Sequence, residues 1–350
     1  MERILKTEEK AILTLRQLYR QYGYTPYKMS RFEEYDLYVR SKDFLVSDQI
    51  ITFSGDRGRL MALKPDVTLS IVKNAPEEPG IIQKVYYNEN VYRDYREIMQ
   101  AGLECVGDLG SYEIAEVVLL AAKSLSLLGE TYVLDISHMG LLSALLESCG
   151  FEEAAKKQAM TCIRRKSLHE LRALCTEDAA WEKLRSLTLC HGQDPAAIRP
   201  ILSTAEELAA WEELNNLWSI LETDGCGGHI RLDFSVGNNM RYYSGVVFRG
   251  YLAGIPSSVL SGGQYDKLPK RLGRNARAIG FAIYVDLLQG EGTCLDVDTL
   301  ILHDGTVSPQ TLTAAAEEAA KNGTVLVSRR IPTGRSWKNL IRYEKGERIC

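Results

Sequence analysis

The chain has no C-x-x-C pair. Its eight cysteines (Cys105, Cys149, Cys162, Cys175, Cys190, Cys226, Cys294 and Cys350) are scattered along 350 residues. That spacing argues against a disulfide framework and fits reduced cytosolic thiols. Cys226-Gly-Gly-His229 has tempting ligand spacing but lacks a second pair, so a Gly-rich turn is the better reading and no metal site is expected. No apolar run approaches the ~18 residues that span a bilayer. The opening MERILKTEEKAILTLRQ is charged and holds no apolar signal core. A cytoplasmic protein without a membrane segment is expected. There is no basic excess either: the net charge is −4, so no global field recruits nucleic acid. Internal repeats and low-complexity tracts are missing as well.

What is present is an ordinary globular mixture, 45% hydrophobic and 25% charged, long enough for one large domain and a small one. Residues 7–22 carry a helical apolar stripe through Ile12, Leu15 and Tyr19. Ile50–Phe53 and Leu60–Leu63 read as strands joined by the turn Asp56-Arg57-Gly58-Arg59. Helices are expected at Glu113–Leu128 and Gly140–Ser148, with a strand at Thr131–Ile136 between them. Residues 151–222 are helical in composition and read as an insertion; strands resume from Ile230 to Ile283. This order predicts an α+β domain with a mostly antiparallel sheet flanked by helices. The expected boundaries are 1–295 for that core, including the insertion, and 296–350 for a small C-terminal α/β appendix. The appendix reads β-α-β-α: Asp298–Leu302, Pro309–Asn322, Thr324–Ser328, then Gly334–Leu340.

The chemistry concentrates in Lys84–Gly107. Val85, Tyr86 and Tyr87 favour a strand, Asn88–Arg96 reads as a polar loop, and Ile98–Gly107 as a second strand. Gln100 and Glu104 interrupt that second apolar run. A polar side chain in a buried strand is costly unless something binds it. Four residues apart, the two project from one strand face and would line a pocket for N–H donors. The plainer alternative is a solvated strand face. Leu63-Lys64-Pro65-Asp66-Val67-Thr68 ends a strand at proline and places Asp66 and Thr68 at a helix start, where capping is the plain reading. Adjacent Tyr242 and Tyr243, read as strand residues, would face opposite sides, one to a pocket and one to the core. His138 and His191 have no Ser, Cys or Asp pattern around them and read as structural or surface residues.

These segments resemble the class II aminoacyl-tRNA synthetases, in the histidyl-tRNA synthetase branch. Arg96-Glu97-Ile98-Met99-Gln100-Ala101-Gly102-Leu103-Glu104 with Gly107 is similar to motif 2, R-E-F-x-Q-x-G-x-E-x-x-G. Lys64–Thr68 is similar to R-P-E-G-T. Gly237–Phe248 is similar to R-G-L-x-Y-Y-T-G-x-V-F-E. Ser261–Leu268 and Ala278–Leu288 are similar to G-G-R-Y-D-x-L and motif 3. The resemblance covers about residues 5–290. It implies that Asp66 and Thr68 meet the amino group of histidine, with Gln100, Glu104, Tyr242 and Tyr243 completing the pocket, a tyrosine hydroxyl and Glu104 holding the ring nitrogens. It also implies three losses. The arginines that handle ATP phosphates fall on Tyr87, Asn238 and Leu287, and none of these replaces a fixed cation. Arg241 is expected on another face. The motif 1 proline falls on Ser30.

A retained amino-acid pocket without phosphate arginines is the profile of the histidyl-tRNA synthetase-like paralogues that serve as regulatory subunits of ATP phosphoribosyltransferase. That resemblance implies a non-catalytic subunit with no cofactor, required for the first step of histidine biosynthesis and for feedback by histidine. Its partners would be a short catalytic subunit and histidine, in a homodimer within a hetero-octamer, with nucleic acid an unlikely partner. The alternatives are a divergent histidyl-tRNA synthetase and a tRNA-sensing paralogue. Arg335 and Lys338 would be either a remnant RNA contact or, more simply, solvated charges at a helix start.

Overall fold

A computed structural model describes residues 5–40, 50–76, 78, 80–192, 194–236, 242–288, 297–333 and 335–349. The chain divides into two compact units, Met1–Leu288 and Gln289–Cys350.

In the first unit, α1 (Thr7–Gln21) leads to the short β1 (Thr25–Pro26), then β2 (Phe32–Glu34) and α2 (Tyr35–Arg40). β3 (Thr52–Ser54) and β4 (Leu60–Leu63) form, with β2, a small sheet of order β2-β4-β3. α3 (Thr68–Lys73) follows, then the long strands β5 (Ile82–Arg93) and β6 (Arg96–Gly107). α4 (Ser111–Leu128), β7 (Tyr132–His138) and α5 (Met139–Ser148) precede the helical insertion, which holds α6 (Glu153–Arg165), α7 (Leu168–Leu174), α8 (Asp178–Leu189) and α9 (Ala205–Thr223). β8 (Ile230–Leu232), β9 (Val246–Leu252), β10 (Leu260–Gln264), α10 (Lys267–Arg271) and β11 (Arg277–Tyr284) complete the unit.

The main sheet has eight strands in the order β1-β5-β6-β11-β10-β9-β7-β8. Its interior pairs are antiparallel and only the outer pairs, β1/β5 and β7/β8, are parallel. Strand alternation splits the residues of β6 and β11 cleanly. Leu103, Cys105, Ile279 and Phe281 enter the core beneath α1 and α4. α4 is rich in Ala, Val and Leu, good helix formers or core fillers, and buries most of its length there. Each fully buried side chain of this size contributes about 1.5–3 kcal/mol. The Tyr19 hydroxyl meets Ser124 Oγ at 3.1 Å, so the polar tip of a buried ring is satisfied. The opposite sheet face, together with α3 and the small sheet, holds a second core around Tyr38, Val85, Tyr87 and Tyr265. The insertion docks on the first core through Leu171, Leu184, Leu214 and Leu221.

The expected loop at Asn88–Arg96 is instead strand. β5 and β6 pair residue by residue from Ile82↔Gly107 to Arg93↔Arg96, joined by a two-residue turn in which Asp94 and Tyr95 both have positive φ, 50° and 59°. This is the twist that matches a two-residue hairpin, built without the Asn-Gly that usually signals it. β11 pairs with β6 only as far as Gln100, so the tip of the hairpin is a two-stranded ribbon that tolerates polar residues.

In the second unit, β12 (Val297–His303), α11 (Pro309–Ala320) and β13 (Val325–Ser328) follow the expected β-α-β order, and α11 is capped by Ser308 Oγ accepting from Thr311 N at 3.1 Å. The expected last helix is not there. Trp337–Glu344 is β14, parallel to β12, and it hairpins through Lys345-Gly346 into β15 (Glu347–Ile349). Ile341 and Tyr343, two apart, pack on Ile301 beneath α11, and period two is a strand's signature. Lys338 is therefore a strand residue, ion-paired with Asp298 at 2.8 Å.

Candidate functional site

The cavity-facing side of the sheet is built by register. Glu104 on β6 lies opposite Gly280 on β11, which lies opposite Gly263 on β10. A side chain at Gly280 would overlap the Glu104 carboxyl, and one at Gly263 would sit 2.8 Å from the Tyr243 ring. Two glycines thus clear a floor over which an acid and an aromatic ring lie. The resulting cavity measures about 440 Å³ and is lined by Asp66, Thr68, Gln100, Glu104, Tyr242 and Tyr243, with Tyr87 and Tyr265 beside them. All six residues expected in a pocket meet in it.

Glu104 is its centre. The side chain is 2% exposed, and its carboxyl accepts from Thr68 Oγ1 at 2.6 Å and from the Tyr265 hydroxyl. Burial pushes the Glu104 carboxyl up to about 8, helped by the negative charge of Asp66, while the two hydroxyl donors pull the other way. Asp66 stands at the start of α3, where its Oδ1 accepts from Leu69 N at 2.9 Å, so the capping role is real. It also lines the cavity. Burial raises its carboxyl, against the pull of Arg93 and of the backbone N–H groups of Leu69 and Thr68. Gln100, 3% exposed, lies opposite Tyr284.

Tyr242 and Tyr243 do not face opposite sides. They precede β9 in a turn, where alternation does not apply, and both rings border the cavity in an edge-to-face pair with centroids 4.7 Å apart. Tyr242 also lies 5.6 Å from the Tyr265 ring.

Of the three phosphate-arginine positions, Tyr87 is buried and lines the cavity, Leu287 is 38% exposed, and Asn238 lies outside the described residues with Arg241. The neighbouring acid, Asp286, accepts from Met99 N at 2.8 Å. Glu89 is tied to the buried Lys64 by an ion pair and hydrogen bond. Tyr265, Arg93 and Arg249 are among the cavity residues that escape the sequence reading. Tyr265 sits in the quoted Ser261–Leu268 stretch, but its contact with Glu104 spans 161 positions. Arg93 reads as turn charge; it donates to the Pro65 carbonyl at 2.5 Å and pairs with Asp66 at 3.4 Å. Arg249 sits just past the tyrosine motif.

His138 is buried and caps α5, its Nδ1 accepting from Leu141 N at 3.1 Å; His191 pairs with Asp233 at 2.9 Å. His229 stacks on Tyr132 at 4.2 Å between centroids. Among the described residues no group of His, Cys, Asp and Glu is arranged to hold a metal, and no helix is long and apolar enough to cross a membrane.

The antiparallel sheet with its one-sided cavity defines a class II aminoacyl-tRNA synthetase-like protein. Residues 2–288 match the family model for histidyl-tRNA synthetase, and the chain belongs to that family. Its similarity then narrows. The chain is 29% identical over 291 residues to the ATP phosphoribosyltransferase regulatory subunit of Clostridium kluyveri, covering 78% of this chain and 74% of the relative. Its fold matches a Bacillus halodurans C structure described as an ATP phosphoribosyltransferase regulatory subunit/histidyl-tRNA synthetase, at TM-score 0.74 and 23% identity over 97% of this chain and 94% of that one. It also matches a chain of the ATP phosphoribosyl transferase (HisG:HisZ) complex from Thermotoga maritima, at TM-score 0.64 and 19% identity over 81% and 98%.

Proposed function

We infer that this chain is the regulatory subunit of an ATP phosphoribosyltransferase, acting in the first step of histidine biosynthesis and in its feedback control by histidine. The observation that carries the reading is a division within one cavity. The hydrogen-bonding end is complete: Glu104, Thr68, Tyr265 and Asp66 converge. Of the positions where the family's arginines would be, Tyr87 lines the same cavity and Leu287 lies outside its lining, 38% exposed. A neutral hydroxyl and an alkyl chain do not stabilise charge developing on a phosphate.

In this reading histidine enters with its ammonium at Asp66 and Thr68 and its ring nitrogens between Glu104 and a tyrosine hydroxyl. Gln100 and the rings of Tyr242 and Tyr243 close around it. Glu104, largely protonated in the empty cavity, ionises as a cationic group settles beside it, because an opposite charge favours the carboxylate. The chain does not activate histidine, and it works as a dimer with a short catalytic subunit in a hetero-octamer. Histidine inhibits by binding one state of that assembly better than another, the only way a ligand shifts an equilibrium.

The test is reconstitution. Mixed with a short catalytic subunit from the same cell, the chain should yield histidine-inhibited phosphoribosyl transfer. Alone it should show no histidine-dependent ATP–pyrophosphate exchange. Exchange by the pure chain would overturn the reading in favour of a divergent synthetase. Salt-sensitive tRNA binding at physiological ionic strength would favour a tRNA sensor.

A further inference from the structure

The cavity holds a second cation, on β9. Arg249 on β9 is half-buried and lines the cavity, yet it makes no hydrogen bond or ion pair with a described residue. Arg93, by contrast, is held by the Pro65 carbonyl and Asp66. Asp135 stands opposite Arg249 on β7, with no ion pair or hydrogen bond joining the two, and the charges acting on its carboxyl include Asp233, His191, Arg231 and Lys166.

Register fixes where Arg249 lies. Tyr87, Gly102, Ala282, Ser261 and Arg249 form one cross-strand row over β5, β6, β11, β10 and β9. Paired residues share a face. Three strand spacings separate β6 from β9, roughly 14 Å. Between them, this row and the Glu104 row carry only Gly280 and Ala282 on β11 and Ser261 and Gly263 on β10. A flat floor of small residues therefore runs from the acid end to the arginine. A guanidinium half out of water, with no ion-pair partner among the described residues, is costly, and an anion beside it removes that cost.

We propose that Arg249, with the Ser261 hydroxyl beside it, forms an anion subsite at the β9 end of the cavity that takes a carboxylate or phosphate group. The group is either the carboxylate of the bound amino acid or that of a separate small anion. Only the first source rests on the histidine reading above.

Calorimetric titration separates the sources, using histidine, histamine (which lacks the carboxylate) and inorganic phosphate on the wild-type chain, Arg249→Gln and Arg249→Lys. Thermal melting checks folding, and the Lys variant keeps the charge should the Gln variant be unstable. If the amino acid supplies the anion, Arg249→Gln weakens histidine about 10-fold or more, leaves histamine unchanged, and Arg249→Lys recovers part of the loss. If a separate anion does, the wild-type chain shows saturable phosphate binding that Arg249→Gln abolishes, with histidine untouched. The subsite is overturned if Arg249→Gln alters none of the three, or alters histamine as much as histidine. Phosphate binding through Arg249 in a chain that takes no histidine would keep the subsite and remove the histidine reading. Histidine binding indifferent to Arg249, with no phosphate binding, would do the reverse.

Discussion

Gly280 faces Glu104 across the β6/β11 ladder, and the space a side chain would fill at Gly280 is occupied by the Glu104 carboxyl. Gly280→Ala should therefore displace the acid from Thr68 and Tyr265. Overpacking of this kind costs about 1–3 kcal/mol. The expected outcome is a lower melting temperature together with loss of histidine binding, read by thermal melting and calorimetry.

The titration of Glu104 sets a pH dependence. Its carboxyl rises from an ordinary 4.5 to about 8 in the folded chain. Between those values the folded state holds a proton that the unfolded state has lost. Stability from this group is thus fully present below about pH 4.5, falls as pH rises, and is gone above about 8. Glu104→Gln should flatten that fall. Melting curves at several pH values for both proteins, subtracted, give the Glu104 contribution.

Tyr265 donates to Glu104 and so favours its ionised form. Tyr265→Phe removes that donor and should move the Glu104 limb to higher pH. Losing the buried hydrogen bond should also cost about 1 kcal/mol. The same subtraction against Glu104→Gln, made in a Tyr265→Phe background, reads both effects.

Lys64 is 1% exposed, and its ammonium meets Glu89. Glu89→Gln would leave a buried cation without its counter-charge. A destabilisation of about 3–5 kcal/mol is expected from chemical denaturation. A change below about 1 kcal/mol would mean that Lys64 finds other partners.

Much of this site was legible because burial and polarity conflict locally. Gln100 and Glu104 stand out in an apolar strand, and their spacing of four puts them on one face, as observed. Asp66 and Thr68 are marked by the proline and the helix start. What was hidden depends on register and on distant contacts. Tyr265 becomes a site residue only because the chain leaving β10 reaches across β11 to Glu104 on β6, and nothing near Tyr265 in sequence encodes Glu104. Arg93 looks like turn charge until the hairpin folds it back on Asp66. Tyr242 and Tyr243 escape the alternation rule because they lie in a turn before β9 rather than in the strand. The C-terminal segment misled for the opposite reason: the Gly-Arg-Ser-Trp-Lys stretch suggests a helix start, while the alternation that makes β14 a strand, through Ile341 and Tyr343, lies further on.

Calorimetric titration of histidine into the wild-type chain and into Glu104→Ala decides whether this cavity receives histidine at Glu104. Saturable binding by the wild-type chain is expected, weakened by about 1–3 kcal/mol in the variant. No heat from the wild-type chain, or equal affinity in both proteins, would contradict it.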